Sequence, residues 1–447
     1  MVEDREKDGL LGSWKEIASY LRVDKRTCYR WEQKLGLPVH RIEGTQRSRV
    51  FAYKNELDRW REERPGDRTR LQPGSPPRPG LQKNYYLAAA IVVIVVIFYL
   101  ELRPTRSREP LDFRIAGSAL IILNDQGTEL WRFDTGLENL LEENSYRQHF
   151  QMKRTGAGDV TLHPYLLIKD INRDGKKEVL FSTQTQDEFN EGSLFCFSDN
   201  GKTLWTFTAG KVMKYGPEVY TSDYRIMGFD LSDLDSAGRT EIVIFSTQRH
   251  FFPCQLAVLE ANGHLRGEYW NAGHISDLAC ADINGDGEKE ILAVGQNNEH
   301  DKGCFLAFDP TEVGGGSPQK VEKYVCPVLA FGTEKEYILF PRTDADLQAA
   351  LNEAMEAIEI LRDNRIMVRA QISRLLFNFD YSLNLQEVRS SHEFEALHHK
   401  FSEEGKIRSV LDDAYFKRVG RGLLYWDGRG WTTTPSLANP WPIRSRR

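Results

Sequence analysis

The sequence predicts a multidomain protein: a small, mainly helical N-terminal domain, one transmembrane helix and a large, mainly-β, propeller-like domain with an α+β C-terminal extension. Three observations predict this class: two short amphipathic helices near the N-terminus, an uncharged apolar run, and an acidic loop that occurs three times. The 447 residues suffice for two or three domains beside a membrane span. The predicted ranges are 10–64 for the helical domain, 65–84 for a Pro/Arg-rich linker, 85–102 for the transmembrane helix, 112–345 for the β domain, and 346–436 for the extension. The alternative for residues 346–436 is that they form further propeller blades.

The apolar run is YYLAAAIVVIVVIFYL, at positions 85–100. As a helix it is roughly 24 Å long, slightly short of the ~30 Å hydrocarbon core of a bilayer. The tyrosines at its ends suit the membrane interface, and the side chains of the flanking Lys83 and Arg103 can reach outward to the headgroups, which makes up the difference in length. We therefore expect a single-pass span. A buried core helix is the alternative, and a cleaved signal peptide is disfavoured because 84 residues precede the run.

Charge differs between the two sides of this run. Residues 1–83 carry 19 Lys+Arg and 13 Asp+Glu, a net charge of +6, whereas the remainder carries 40 and 52, a net charge of −12. A basic small domain suits a nucleic-acid partner, and a larger acidic domain suits cations or solvent. The six cysteines lie mostly in apolar runs, which favours buried thiols, although one or two disulfides would form in an oxidising compartment.

Two short helices are predicted near the N-terminus. Ser13 caps the first and forms a capping box with Glu16. Asp24 caps the second, Lys25–Leu35, and Gly36 ends it. The predicted inward-facing residues, which recur at helical spacing, are Trp14, Ile17, Ala18 and Leu21 of the first helix and Cys28, Trp31 and Leu35 of the second. Two helices joined by a tight turn form a helix-turn-helix.

The outward face of the second helix is basic and polar. Arginine pairs with guanine edges, and Lys, Thr and Tyr contact phosphates. A hairpin over 38–53 and a third helix near 55–63 follow, and the tip of the hairpin gives a basic wing. The predicted DNA-binding residues are Lys25, Arg26, Thr27, Tyr29, Arg30 and Gln33 on the helix, with Arg47 and Arg49 on the wing.

The segments SWKEIASYLRVDKRTCYRWEQKLGLPVHR and VFAYKNELDRW resemble the winged helix-turn-helix of the excisionase and MerR-like group. The resemblance covers about fifty residues, and it implies DNA binding through the second helix and the wing. The alternative is a protein-binding use of the same fold.

Three loops of the β domain share the pattern D-x-N/D-x-x-G-x-x-E, and an apolar strand follows each. Such a pattern places oxygen ligands at positions 1, 3, 5 and 9 around a hard cation, and glycine at position 6 permits the sharp turn. Phe181 and Ala293 stand where an EF-hand needs Glu, so these are β-type loops. The predicted Ca²⁺ ligands are Asp170, Asn172, Asp174, Glu178, Asp282, Asn284, Asp286 and Glu290, with weaker or absent binding at Asp233, Asp235 and Glu241, where Ala237 replaces an acid.

Hairpins with Gly127, Gly201 and Gly263 in their turns accompany the loops. Loop and hairpin together resemble the FG-GAP or VCBS-type repeats of integrin-alpha-like β-propellers over roughly residues 115–310. This resemblance implies four-stranded blades, structural Ca²⁺ in the blade loops, and protein or glycan binding on a propeller face. Asp-rich turns also occur without a metal, as Asx-turns between strands.

The C-terminal region predicts a helix over 344–369, a hairpin, a short helix and a last hairpin. His398 and His399 are adjacent and point to different helix faces, which favours a solvated helix over a metal site. The sequence contains no phosphate-binding glycine loop, no H-E-x-x-H and no G-x-S-x-G, so nothing in it argues for an enzyme.

These patterns favour a membrane-anchored one-component transcriptional regulator of the bacterial inner membrane, with a cytoplasmic N-terminus. Its expected partners are DNA inside, the membrane, an unknown extracytoplasmic protein or glycan, and a second copy of the chain in a homodimer. The alternative is a membrane-anchored adhesion or assembly protein whose helix-turn-helix binds a protein.

Overall fold

The computed structural model describes residues 9–41, 50–63, 108–150, 162–186, 192–349 and 353–435. The chain divides into two compact units, Met1–Leu100 and Glu101–Arg447. The predicted linker and transmembrane segment lie outside the described residues. Within the described part of the chain, no helix combines the length and the apolar character that a membrane crossing requires.

The first unit combines three helices with a small antiparallel sheet. The strands are ordered β1-β3-β2, so that the strand before the first helix pairs with the strand that leads into the third. The strand β1 was not predicted. The elements are β1 (Leu10–Leu11), α1 (Trp14–Leu21), α2 (Lys25–Leu35), β2 (His40–Arg41), β3 (Val50–Tyr53) and α3 (Lys54–Glu62).

The predicted caps hold the first two helices in place. The Ser13 hydroxyl accepts the Glu16 N–H at 3.3 Å, and the Asp24 carboxylate accepts the Thr27 N–H at 2.9 Å. The prediction for Leu35 is wrong: 39% of this residue is exposed, and Leu37 is buried instead. The chain leaves the helix at Gly36 with φ +60°, and this reversal turns the next leucine into the core.

The second unit is a large β domain of consecutive, mostly antiparallel sheets, in which β20 pairs with β16 in parallel. Two sheets hold four strands that follow one another along the chain, in the orders β10-β9-β8-β7 and β22-β23-β24-β25. Others are the three-stranded β4-β5-β6, the five-stranded β13-β14-β15-β16-β20 and the six-stranded β17-β18-β19-β21-β26-β27. The hairpin β11-β12 stands apart. Sequential antiparallel sheets of this kind are the building pattern of propellers.

The strands of the β domain have the following bounds: β4 (Asp112–Ala116), β5 (Ala119–Leu123), β6 (Glu129–Asp134), β7 (Leu166–Lys169), β8 (Glu178–Ser182), β9 (Ser193–Phe197), β10 (Thr203–Thr208), β11 (Met213–Tyr215), β12 (Glu218–Tyr220), β13 (Tyr224–Ser232), β14 (Glu241–Gln248), β15 (Cys254–Glu260), β16 (Leu265–Asn271), β17 (Ile275–Ala281), β18 (Glu290–Asn297), β19 (Lys302–Phe308), β20 (Gly314–Gly316), β21 (Glu336–Leu339), β22 (Met355–Ile360), β23 (Arg365–Ala370), β24 (Leu376–Asp380), β25 (Leu385–Arg389), β26 (Leu424–Trp426) and β27 (Trp431–Thr432). The helices of this unit are α4 (Glu143–Gln148), α5 (Asp344–Ala349), α6 (His392–Glu403) and α7 (Asp413–Arg421).

The helix predicted over 344–369 is present over Asp344–Ala349 and is wrong for the residues described from Glu353 onward. The strands β22 and β23 form a hairpin there, and Asn364 in its turn has φ +60°. The apolar residues at positions 347, 351, 355, 358 and 361 follow a helical spacing, but pairing in a buried sheet overrides that weak preference. The helix α6 and the hairpins β24-β25 and β26-β27 lie where they were predicted, whereas α7 was not predicted.

A tryptophan of one sheet packs on the turn glycine of the next sheet, and this contact occurs twice. The Trp131 indole N–H donates to the Asp199 carbonyl at 3.0 Å, and that of Trp205 donates to the Ala261 carbonyl at 2.9 Å. A Cβ added to Gly201 or Gly263 would lie 2.7 or 2.5 Å from these rings. Glycine is therefore required in both turns.

Candidate functional site

The first and third acidic loops have the same geometry. Asp170 accepts the N–H groups of Arg173 and Gly175 at 2.6 and 3.0 Å, and Asp282 accepts those of Gly285 and Gly287 at 2.7 and 3.0 Å. The glycines at position 6, residues 175 and 287, have φ of +84° and +92°, as the pattern predicted. Backbone N–H groups thus orient the aspartates at position 1.

The remaining predicted ligands of these loops also adopt matching positions. The Asn172 amide donates to Glu178 at 3.0 Å, and the Asn284 amide donates to Glu290 at 2.7 Å. The carboxylates of Asp174 and Asp286 each accept the N–H two residues later at 2.8 Å. Each loop therefore offers only oxygen donors, the ligand chemistry that suits Ca²⁺, but among the described residues its three carboxylates do not converge as closely as those of the middle loop do.

Burial makes the glutamates of both loops costly to ionise. Burial, together with the neighbouring Asp286 and Asp282 carboxylates, raises the pKa of Glu290 to about 7. Burial likewise raises the pKa of Glu178. A divalent cation among these carboxylates would reverse both effects. The donor types of both loops therefore fit the cation that the pattern predicts.

The middle loop brings together its three carboxylates, although it was expected to be the weakest. One carboxylate oxygen from each of Asp233, Asp235 and Glu241 lies within 4.8 Å of the other two. The glycine at position 6, residue 238, has φ +81°. Replacement of the position-5 acid by Ala237 has therefore not changed the turn.

Each carboxylate of the middle loop pairs with an arginine. The distances are 3.5 Å for Arg173–Asp233, 2.9 Å for Arg239–Asp235 and 3.3 Å for Arg266–Glu241. Within the described ranges, no lysine or arginine forms an ion pair with the acidic ligands of the first and third loops. Sequence reasoning missed this difference, although Arg239 stands inside the motif and is a visible signal for it.

The three loops also contact one another in series. Arg173 belongs to the first loop and pairs with Asp233 of the middle loop. The Ser236 hydroxyl of the middle loop donates to the carbonyl of Gly287 in the third. The buried strands β8, β14 and β18 follow directly after the loops and anchor them.

The basic face of α2 is mostly solvent-exposed. Lys25, Arg26, Tyr29, Arg30 and Gln33 are exposed. The Tyr29 ring also packs on Trp14, with ring centroids 4.3 Å apart. Thr27 is half-buried, and its hydroxyl donates to Asp24 at 2.7 Å. Thr27 therefore serves the helix cap, while Arg47 and Arg49 of the predicted wing lie outside the described residues.

Charged neighbours distinguish this face from the rest of the first unit. Among the residues that the structure describes, no acid pairs with Lys25, Arg26 or Arg30. Arg41 pairs with Glu32 at 2.7 Å, and His40 contacts Glu56 at 2.7 Å. The cations on the outward face of α2 are thus available to an external anion.

The adjacent histidines 398 and 399 and the six cysteines were considered for metal binding and disulfide formation, respectively. The His398 ring is buried and lies 2.8 Å from the Ser409 hydroxyl, whereas the side chain of His399 is exposed. The two rings are therefore in different environments. None of the six cysteines, all of which the structure describes, forms a disulfide, and five of them are buried.

No protein-family model matches the sequence, and no curated protein sequence matches it. Similar solved structures include the Dos1 propeller, with 11% identity and a TM-score of 0.29, and BBS1N in complex with ARL6DN, with 11% identity and a TM-score of 0.27. A Synechocystis apocarotenoid oxygenase mutant follows, with 11% identity and a TM-score of 0.22. Each alignment covers 62% of this chain, and they cover 65%, 63% and 56% of those chains. This chain thus spans less than two thirds of each. Propellers stand among the neighbours of the large β domain, but at TM-scores this low the likeness carries no argument.

Proposed function

We propose that the protein is a membrane-anchored one-component transcriptional regulator. In this proposal, residues 10–64 form a winged helix-turn-helix that binds DNA in the cytoplasm, residues 85–102 cross the membrane, and a propeller formed by the β domain acts as an extracytoplasmic sensor. The observation that carries the proposal is the exposed face of α2, where Lys25, Arg26 and Arg30 have no acidic partner in the described chain.

The position of these cations supports base reading as well as phosphate attraction. Asp24 fixes the start of α2, and the buried Cys28 and Leu37 hold its other side against the core. Arg26 and Arg30 are four residues apart and share one face of the helix. A rigid helix with arginines near its N-terminus suits insertion into a major groove.

Calcium binding in the first and third loops is the second part of the proposal. The oxygen-only donor sets and the raised pKa of Glu290 support it. The ion would hold the loops and the strands behind them in place, and it performs no chemistry in this proposal. A change in dimer state would carry the outer signal inward, because two linked half-site contacts bind DNA far more tightly than one.

A DNA-selection and mobility-shift experiment on purified residues 1–64 tests the DNA-binding part. The core of this unit is formed within residues 11–60, and circular dichroism checks that the fragment folds. We expect a sequence-specific shift that Arg26→Ala with Arg30→Ala abolishes. The matched control is Arg59→Ala with Arg61→Ala, which removes the same charge from α3 and leaves sequence preference intact.

Two results would contradict the proposal. A weak shift that ignores sequence and disappears with salt would indicate charge attraction alone. Capture of a protein partner by residues 1–64 without any DNA shift would favour the adhesion or assembly function instead.

A further inference from the structure

The β domain contains a cavity of about 350 Å³ that the loops and the helical unit do not use. This volume lies within the range of about 300–1,000 Å³ that is typical of small-molecule sites. Its walls come from the end of β11, the end of β16 and the segment 316–331. Phe331 lines the cavity with 78% of its surface exposed, which places an opening to solvent beside it.

Three buried polar atoms of the lining residues have no hydrogen-bond partner within the described chain: the Tyr215 hydroxyl, the Trp270 indole N–H and the Gln319 amide oxygen. Tyr215 and Trp270 are 2% and 1% exposed. Buried polar atoms are nearly always paired, by protein, water or ligand. These three atoms therefore indicate that the cavity holds a hydrogen-bonding molecule.

Neighbouring contacts hold the three groups in position. The Gln319 amide N–H donates to the Ser317 hydroxyl at 3.1 Å, and that hydroxyl accepts the Ala272 N–H at 2.8 Å. The Trp270 ring meets Tyr224 edge-on, with ring centroids 5.7 Å apart. The site therefore presents one fixed donor, one fixed acceptor and a phenol that serves as either.

The lining consists of aromatic, aliphatic and uncharged polar side chains and carries no charge. Lys211 lies 5.2 Å from the Trp270 ring centroid, but its ammonium is paired with Glu268. Burying an ionised ligand in such surroundings would be strongly unfavourable. The chemistry therefore requires an uncharged molecule with hydroxyl groups and an apolar face.

We propose that this cavity binds a neutral monosaccharide ring. Each sugar hydroxyl both donates and accepts, which suits the Trp270, Gln319 and Tyr215 groups, and the C–H face of the ring packs on the aromatic walls. This inference rests on the proposed function for the role of the sugar as a sensed signal. The argument for binding itself uses only the residues of the cavity. It names the class of ligand that the β domain takes.

Isothermal titration calorimetry on the full chain tests the proposal, in a detergent without a sugar headgroup. The probes are glucose, galactose, mannose and N-acetylglucosamine, with glucuronate and adenine for comparison. We expect saturable binding of at least one neutral sugar. Tyr215→Phe and Gln319→Leu should each weaken it roughly 3- to 10-fold, the effect of one lost hydrogen bond. The matched control is Tyr220→Phe, which removes a hydroxyl from the same aromatic cluster outside the cavity and should change affinity less than about 2-fold.

Several outcomes would overturn the proposal. Binding of no sugar would mean that ordered water satisfies the three polar atoms. If neither Tyr215→Phe nor Gln319→Leu weakens binding, the sugar binds elsewhere. Equal affinity for glucuronate, or binding of adenine alone, would exclude neutral sugars as the ligand class. The DNA mobility shift of residues 1–64 is measured separately. If the chain binds sugar but residues 1–64 give no specific DNA shift, only the proposed regulator function is contradicted. If residues 1–64 shift DNA but the chain binds no sugar, only the sugar-binding proposal is contradicted.

Discussion

The middle acidic loop and its two neighbours have nearly the same turn but differ in the cationic side chains beside their carboxylates. The middle loop receives three arginines, one for each carboxylate. In the first and third loops, the lysines at positions 176, 177 and 289 contact Asp199, Glu109 and Ser232, outside the ligand set. The comparison shows that an acidic turn can be stabilised by built-in guanidinium groups. The motif alone therefore does not identify a cation site, and the surrounding charges must be examined.

The largest effect that this comparison predicts is the stabilisation of the β domain by Ca²⁺ bound in the first and third loops. Ca²⁺ at about 100 times its dissociation constant should stabilise the β domain by about 2.7 kcal/mol per site, hence about 5 kcal/mol for the first and third loops together. Thermal unfolding of the full chain in Ca²⁺ and in EGTA measures the difference. Asp170→Ala with Asp282→Ala should remove the calcium response. Unchanged unfolding temperatures in EGTA would show that these loops hold no calcium.

Removing the half-buried arginine that pairs with the middle loop should have the next largest effect. Arg266 is 21% exposed and pairs with the buried Glu241, so Arg266→Met leaves a carboxylate without its counter-charge. We expect a loss of about 2–3 kcal/mol in the free energy of unfolding, measured in urea. A second change, Glu241→Gln, should restore most of it. The control is Arg132→Met, which breaks an exposed pair with Glu129 and should cost less than about 1 kcal/mol.

The middle loop should become a weak cation site when its position-5 acid is restored and one of its three arginines is removed. Ala237→Asp with Arg239→Ala supplies the missing position-5 acid and frees Asp235 from its arginine. Calorimetry should then show a third, weaker Ca²⁺ binding event beside the two expected in the wild type. A stoichiometry that stays at two would mean that something other than counter-charge separates the loops.

The smallest effect should come from Arg239 alone. Its side chain is 73% exposed, so water and salt screen its pair with Asp235. We expect Arg239→Ala to change the free energy of unfolding by less than about 1 kcal/mol in urea unfolding at moderate salt. A loss as large as that of Arg266→Met would mean that exposure does not set the strength of these pairs.

Short-range signals predicted the local structure well. The caps at Ser13 and Asp24, the ends of α2 and the glycine turns of the acidic loops all follow from side-chain and backbone preferences within a few residues. The region 355–370 could not be predicted in this way. Its apolar spacing suited a helix, and burial in a sheet decided the outcome.

The candidate sites were likewise predictable only in part. The ligand pattern of the acidic loops and the basic face of α2 are visible in the sequence. The pairing of Arg173 with Asp233 joins residues 60 positions apart, and the cavity beside Tyr215 and Trp270 joins residues 55 positions apart. Such contacts depend on how the sheets meet, which no local pattern specifies.

The contact of tryptophan on glycine limits how the repeats of this chain could be duplicated or exchanged. The third hairpin carries Gly267 four residues after its turn glycine, where the first two carry Trp131 and Trp205, and a Cβ there would lie 2.3 Å from the Val313 carbonyl. A copied repeat inserted after the first sheet would be preceded by Trp131, which could pack on its turn glycine, and followed by the turn with Gly201, on which its own tryptophan could pack. A copy inserted after the third hairpin would meet no tryptophan at the equivalent position, so the contact could not be continued there.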